Sequence, residues 1–398
     1  MATIRPFRAL RPVPARAHKV AAVPYDVVTT SEARALASAN PASFLHVSRP
    51  EIDLPEGTDP HSDAVYRKGA ENFERLERDG LLVRESEPSI YLYRLRMEDH
   101  AQTGVAAAYS LDEYDSGEIR RHERTRRDKE DDRTRHMVTL GAQTGPVFLT
   151  YRGRSEIDAL VDAAARGEPL YDFEAEDGVS HTVWRVGGDA ARRLVSEFER
   201  VPLLYIADGH HRAASASRAR GELAGRGRED AGNSFLAVAF PAAHLRILPY
   251  NRVVKDLGSR TSEQFLAALR QKLPVSDSAP PSPARRGEVS VYLDGRWYGL
   301  DLRGSPELDV TLLQDRVLDP ILGIRDVRTD PRIDFVGGGR GTGALERAVY
   351  EGHAAAAFSL FPVSIHDLMR IADAGGIMPP KSTWFEPKLR DGLLIHEI

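Results

Sequence analysis

Residues 203–213, LLYIADGHHRA, constrain the fold more tightly than any other stretch of this sequence. An apolar run that fits a buried strand ends abruptly in Asp208 and Gly209, and after His210, His211 and Arg212 the sequence turns helix-prone. A strand that turns through one glycine into a helix presents the unpaired N–H groups of the first helical turn at the strand's end. Those amides, with the positive end of the helix dipole, favour an anion such as phosphate. Two imidazoles and a guanidinium in the same turn strengthen that preference, because arginine–phosphate hydrogen bonds are charge-assisted. A plain surface turn would need only Asp208 as a helix cap and would leave His-His-Arg unexplained.

With 398 residues, 41% of them hydrophobic, the chain exceeds the usual size of one core and can fill two domains. The expected division is a catalytic and nucleotide-binding region over 1–273, a Pro/Ser-rich linker over 274–287 and an α/β region over 288–398. Apolar runs predict strands over 43–48 and near 89–97, 104–111, 146–151, 203–207 and 234–240. Helical spacing starts after a cap at Thr30 or Ser31, covers 63–80 and resumes after Arg212, while 155–200 reads as helix, strand and helix. EVSVYLDGRWYGLDL reads as a hairpin about Asp294-Gly295. The fold class expected from this mixture is α/β or α+β.

Composition removes several functions. The net charge is −5 with no long basic block, so nucleic acid is not expected as a partner. No run approaches the roughly 18 apolar residues of a membrane span, and the start has no apolar signal core; no membrane role is expected, and a cytoplasmic location follows by default. With no cysteine, disulfides, thiolate zinc sites and a Cys nucleophile are excluded. There is no G-x-S-x-G elbow. The glycine run FVGGGRGTGALE, 335–346, fits the loose dinucleotide pattern through Gly339, Gly341 and Ala344. It lacks a ribose-binding acid at the usual distance and a P-loop Lys-Ser/Thr, which favours a tight structural turn. The oligomeric state stays open, a homo-oligomer included.

The second dense cluster is IRRHERTRRDKEDDRTRHM, 119–137, in which only Ile119 and Met137 are apolar. As a helix it must be solvated or line a polar site. At about 100° per residue, His122, Thr125, Lys129, Arg133 and His136 share a sector of about 80° that can grip phosphate or an acidic substrate. Glu123 and Glu130 lie on an adjacent sector, where either can act as general base for a hydroxyl or hold magnesium. Zinc is the weaker choice, because His210 and His211 point in different directions and no H-E-x-x-H pattern occurs. Near the end, Pro379-Pro380-Lys381-Ser382-Thr383 is a stiff stretch that can close over an anion, or a strap that packs Trp384 and Phe385.

YIADGHHRAASA, with RPFRALRP near the start, HERT and KEDDR in the middle and PPKSTWFEPKL near the end, resembles a widespread uncharacterised bacterial and archaeal family along almost the whole chain. More distantly, the strand, D-G-H-H-R and Ala-rich helix are similar to the phosphate-binding turn of the ParB and sulfiredoxin-like fold, which includes free-serine kinases. That resemblance implies a ParB/sulfiredoxin-like core with an additional C-terminal α/β region. It also implies a nucleotide-dependent phosphotransferase acting on the hydroxyl of a small metabolite, free serine first, with ATP or ADP as donor and Mg2+ as cofactor. Carried onto this sequence, Asp208, His210, His211 and Glu123 are the catalytic candidates. Gly209 and Arg212 would hold phosphate and Asp208 would orient magnesium or a hydroxyl; from their own chemistry, His122, Thr125, Lys129, Arg133, His136 and Lys381 are further phosphate-binding candidates and Glu130 a further magnesium ligand. Sulfiredoxin chemistry lacks its cysteine here. The same turn would also serve a ParB-like nucleotide-binding or nucleotide-hydrolysing switch that controls a protein partner without phosphorylating a metabolite. Either reading of a two-part site requires 119–137 to meet 203–213 in space.

Overall fold

Most of the apolar runs of the first 245 residues pair into one mixed sheet in the computed structural model, which describes residues 1–225 and 232–398. The chain divides into two units, Met1–Leu245 with Pro387–Ile398, and Arg246–Glu386. The unit boundary therefore lies at 245/246, not in the Pro/Ser-rich segment. Residues 274–287 belong to the second unit, where Val275–Ser276 is a sheet strand and Pro280 accepts a hydrogen bond from Ser290.

In the first unit, among the described residues, the sheet order is Ile119–Arg120, Leu204–Asp208, Val147–Tyr151, Ser234–Pro241, His100–Ser110, Ile90–Met97, Ser180–Val186 and Tyr171–Glu174, with Ile4–Arg5 added beside His100–Ser110. Two pairings are parallel, Leu204–Asp208 with Ile119–Arg120 and Ser234–Pro241 with Val147–Tyr151. The central strands are continuous apolar runs because both faces are covered. One face packs against helices Ser155–Ala164, Gly188–Phe198 and His210–Ala224 through Ile157, Leu194, Phe198, Ala213 and Ala216. A second cluster joins Phe44, Leu45, Val47, Phe73 and Leu76.

The mixed α/β class is as expected, and three local readings change. SFLHVS is not a strand: Leu45–Ser48 is a short helix, and Phe44, Leu45 and Val47 are buried against helix Asp63–Arg78. A six-residue apolar run has no periodicity that separates strand from helix, so packing decides. The helix, strand, helix pattern over 155–200 contains two strands, Tyr171–Glu174 and Ser180–Val186, paired antiparallel. The 119–137 cluster is strand Ile119–Arg120, a connection, and helix Arg127–Leu140.

The second unit holds a six-stranded antiparallel sheet in the order 275–276, 296–301, 288–293, 356–360, 250–254, 333–337. The hairpin turn falls at Asp294-Gly295, with φ of 49° and 79° as a type I′ turn requires. The glycine run is a structural turn: a Cβ on Gly337 would lie 2.6 Å from the Trp384 indole. Among the described residues no helix is long and apolar enough to cross a membrane.

Candidate functional site

Strand Leu204–Asp208 positions the site. It is regular through Ile206, and a register shift between Ile206 and Asp208 leaves a bulge at Ala207 that re-aims the Asp208 side chain. Gly209 follows with φ 90° and starts helix His210–Ala224 without a side-chain cap. A Cβ at Gly209 would meet the Arg212 Nε at 3.1 Å, so only glycine lets the guanidinium fold back over the turn.

Five ionisable groups converge there. The Asp208 Oδ2 accepts hydrogen bonds from Arg212 Nη2 and Lys388 Nζ, both at 3.3 Å. Arg212 is 5% exposed and donates Nη1 to the Pro146 carbonyl at 2.5 Å. Its Nε has no hydrogen-bond partner among the described residues. Burial opposes ionisation of Asp208, but Lys388 and Arg212 outweigh it and hold the carboxylate well below the usual range. Burial likewise works against the Arg212 charge, and Asp26 and Asp208 keep the group protonated. Asp391, also buried, goes the other way: burial pushes its carboxyl up to about 7 against the pull of Arg212.

Arg212 and Asp391 line a cavity of about 20 Å³ with Tyr25, Arg133, His136 and Thr144. That is room for one water. Tyr25, Arg133 and His136 also line a larger cavity of about 120 Å³ with Arg49, His61, Tyr66, Lys129 and Asp132. Arg133 donates its Nε to Asp132 at 2.8 Å and stacks 4.2 Å over the Tyr25 ring, and Tyr66 donates its hydroxyl to Asp132 at 2.8 Å. His136 Nε2 donates to the Val47 carbonyl at 2.9 Å, and burial together with Arg133 lowers its pKa to about 4, which keeps the ring neutral.

On another flank of the turn, the parallel pairing of Ile119–Arg120 with Leu204–Tyr205 delivers the next residues to His210. The His122 backbone N–H donates to His210 Nε2 at 3.5 Å, and the two rings stand edge to face with centroids 4.4 Å apart. His122 is 2% exposed, and among the described residues neither of its ring nitrogens makes a hydrogen bond of proper geometry. Burial lowers its pKa to about 4, although the Ile206 backbone favours the protonated form. One ligand atom from each of His122, Glu123 and His210 falls within 4.8 Å of the others. Next to them, the Arg126 N–H donates to His211 Nε2 at 3.0 Å.

The two sequence clusters thus meet, but not through one helix face. Helix Arg127–Leu140 begins after His122 and Thr125, so Lys129, Arg133 and His136 reach the larger cavity from the helix while His122 arrives along a strand. Thr125 donates instead to Glu130, which also pairs with Arg218 at 3.2 Å. Both hydrogen bonds to Asp208 fall on Oδ2, whereas Glu130 is engaged at Oε1 by Thr125 and at Oε2 by Arg218, so Glu130 fits a magnesium ligand poorly. Lys381 belongs to the second unit, with its Nζ 5.4 Å from the Tyr250 ring centre.

Sequence reasoning missed Tyr25, Asp26, Tyr66, Asp132, Lys388 and Asp391 as site residues. The available signals were PYD at 24–26 and PKLRDG at 387–392, where charged residues follow a proline closely. Segment Pro387–Ile398 returns to the first unit, with Arg390 donating to His181 at 3.1 Å and the Asp391 and Ile395 backbones bonded to Ala22 and Leu10.

Residues 4–320 match a family described as "Protein of unknown function (DUF1015)". No curated protein matches the sequence. Among solved structures, the chain is similar to a conserved hypothetical protein from Pyrococcus furiosus, with 14% identity, 74% of this chain and 95% of that chain covered, and a TM-score of 0.37. It is similar to a free serine kinase in complex with AMP at 14% identity, 73% and 92% coverage and a TM-score of 0.37. It is also similar to SbnI with C-terminal truncation from Staphylococcus aureus at 11% identity, 73% and 87% coverage and a TM-score of 0.41.

Proposed function

The chain belongs to DUF1015, and for this member we propose a nucleotide-dependent phosphotransferase that acts on the hydroxyl of a small metabolite, with free serine as the first acceptor to test and ATP or ADP as donor. The observation that carries the reading is the Arg212 guanidinium, buried over Gly209 with Nε unpartnered, beside a first helical turn that no side chain caps. An unsatisfied buried donor costs about 1–3 kcal/mol, and a phosphate oxygen at this turn would satisfy it together with the helix amides. The neighbouring cavity, about 120 Å³, is smaller than the roughly 300 Å³ at which pockets for whole drug-sized ligands begin. A phosphate-sized group suits it better than an entire nucleotide.

On this reading the acceptor oxygen forms a bond to the terminal phosphorus, and the bond from that phosphorus to the bridging oxygen breaks. The nucleotide leaves with the electron pair, and the hydroxyl proton passes to Glu123. Catalysis is then mostly positioning and charge neutralisation. Asp208 acts as the anchor for Arg212 and Lys388.

Phosphorus NMR of the full chain with Mg2+, a nucleotide (ATP, ADP or CTP) and a panel of amino acids tests the proposal. Phosphoserine is the expected product. Nucleotide binding or hydrolysis with no phosphorylated metabolite would overturn it in favour of a nucleotide switch.

A further inference from the structure

The imidazoles of His122 and His210 and the Glu123 carboxylate do not resemble a phosphate cradle, because the carboxylate repels an anion and burial disfavours the charged form of both rings. Their chemistry is that of metal ligands: two borderline nitrogen donors and one anionic oxygen. We propose that His122, Glu123 and His210 form a three-ligand site for a divalent transition-metal ion of the zinc class.

The geometry supports this in three ways. The three ligand atoms already lie within 4.8 Å of one another, whereas zinc bonds of about 2.0–2.2 Å in a tetrahedron require about 3.4 Å, so side-chain adjustments on the order of 1 Å close the site. His122 is 2% exposed and directed at His210 with neither ring nitrogen properly hydrogen-bonded among the described residues, a costly arrangement that a bound cation would relieve. The contact from the His122 N–H to His210 Nε2, at 3.5 Å, is at the outer limit of hydrogen bonding and is easily exchanged for a metal bond. Three protein ligands leave a fourth position for water or substrate, as in catalytic rather than structural zinc sites. Magnesium prefers all-oxygen surroundings and is disfavoured by the two imidazoles. No spacing motif announces the site, since His122 and Glu123 follow one strand and His210 opens the helix after its parallel neighbour.

This site does not depend on the phosphotransferase reading, and an ion bound there would make Glu123 a ligand instead of a proton acceptor. The test uses the chelator-treated full chain, titrated calorimetrically with zinc chloride and separately with magnesium chloride, and with cobalt(II) followed by visible absorption. The expected result is one zinc per chain, bound at least about 100-fold more tightly than magnesium, with cobalt bands of a low-coordinate nitrogen–oxygen site. Glu123→Gln and His210→Ala, each checked for folding by circular dichroism, should each weaken zinc at least about 10-fold. Glu123 is only half-buried, so its variant decides the matter if the His210 variant does not fold. Failure of the wild-type chain to take up stoichiometric zinc, or unchanged affinity in the folded variants, overturns the site; the latter result would mean adventitious binding by other histidines. Phosphoserine formation by a chain that does not bind zinc overturns this proposal alone, and zinc uptake without phosphate transfer overturns the other alone.

Discussion

Two of the glycine-built strand-to-helix turns, at Gly209 and at Gly337, differ in what crosses them. At Gly209 the Arg212 guanidinium folds over the backbone, tied to Asp208 and backed by Lys388. At Gly337 and Gly338 the Trp384 indole and the Leu248 and Pro249 side chains fill the space, with the indole N–H donating to Glu386 at 2.7 Å. Glycine provides close approach in both. Whether a turn becomes a site for chemistry is decided by the group that approaches, a buried cation in one and an apolar ring in the other.

The strongest way to break this contrast is to remove the charges. Asp208→Ala and Arg212→Ala are each expected to lower nucleotide-dependent phosphate transfer at least about 100-fold, the scale of a lost transition-state charge contact. Gly337→Ala should leave the rate per folded molecule unchanged. Wild-type initial rates in either folded charge variant would show that the two turns are equivalent after all.

A smaller effect separates the glycines themselves. Gly337→Ala forces a methyl group against the Trp384 indole at 2.6 Å and should cost about 1–3 kcal/mol in urea denaturation. Gly209→Ala places a side chain at φ 90° and 3.1 Å from Arg212 Nε, with a similar expected loss. Only the second should also weaken sulfate binding, measured by calorimetry. Equal sulfate affinity in both variants would remove the distinction.

The smallest effect is a pH dependence restricted to the charged turn. Asp391, facing Arg212, Arg133, Asp26 and Tyr25, is raised from 3.8 to about 7 by burial. As pH rises through about 7 it gains a negative charge beside Arg212, so sulfate affinity should fall several-fold between about pH 6 and about pH 8. Between 3.8 and about 7 the folded chain holds a proton that the unfolded chain releases, so this group's contribution to stability also falls as pH rises through that window. Asp391→Asn should flatten both slopes. A wild-type slope retained in that variant would place the titration elsewhere.

The sheet of the first unit was legible because its central strands are long apolar runs, and the turn at Asp208 because strand, glycine and helix signals follow one another without a gap. The 43–48 run was not, since packing against Phe73 and Leu76 chose a helical turn over an extended strand. The spacing of 119–137 fits one helix face, but the sheet takes Ile119 and Arg120 for pairing and the helix starts only at Arg127. The helix buries polar residues on two sides, Asp132 and His136 on one and Thr134 on the other, which no hydrophobic stripe could reveal. Lys388 lies 180 residues from the aspartate it binds, a separation at which local patterns carry no pairing information.

Lys388 and Asp391 come from the segment that follows the entire second unit, so the order of synthesis bears on the site. At about 5–20 residues per second, a ribosome needs roughly ten to forty seconds to travel the 180 residues from Asp208 to Lys388. Throughout that interval the nascent chain carries the Asp208 turn without one of its two cations and without Asp391. The first unit can collapse early but can acquire its finished charge arrangement only after residues 246–386 have been made, which ties the competence of the turn to completion of the inserted unit.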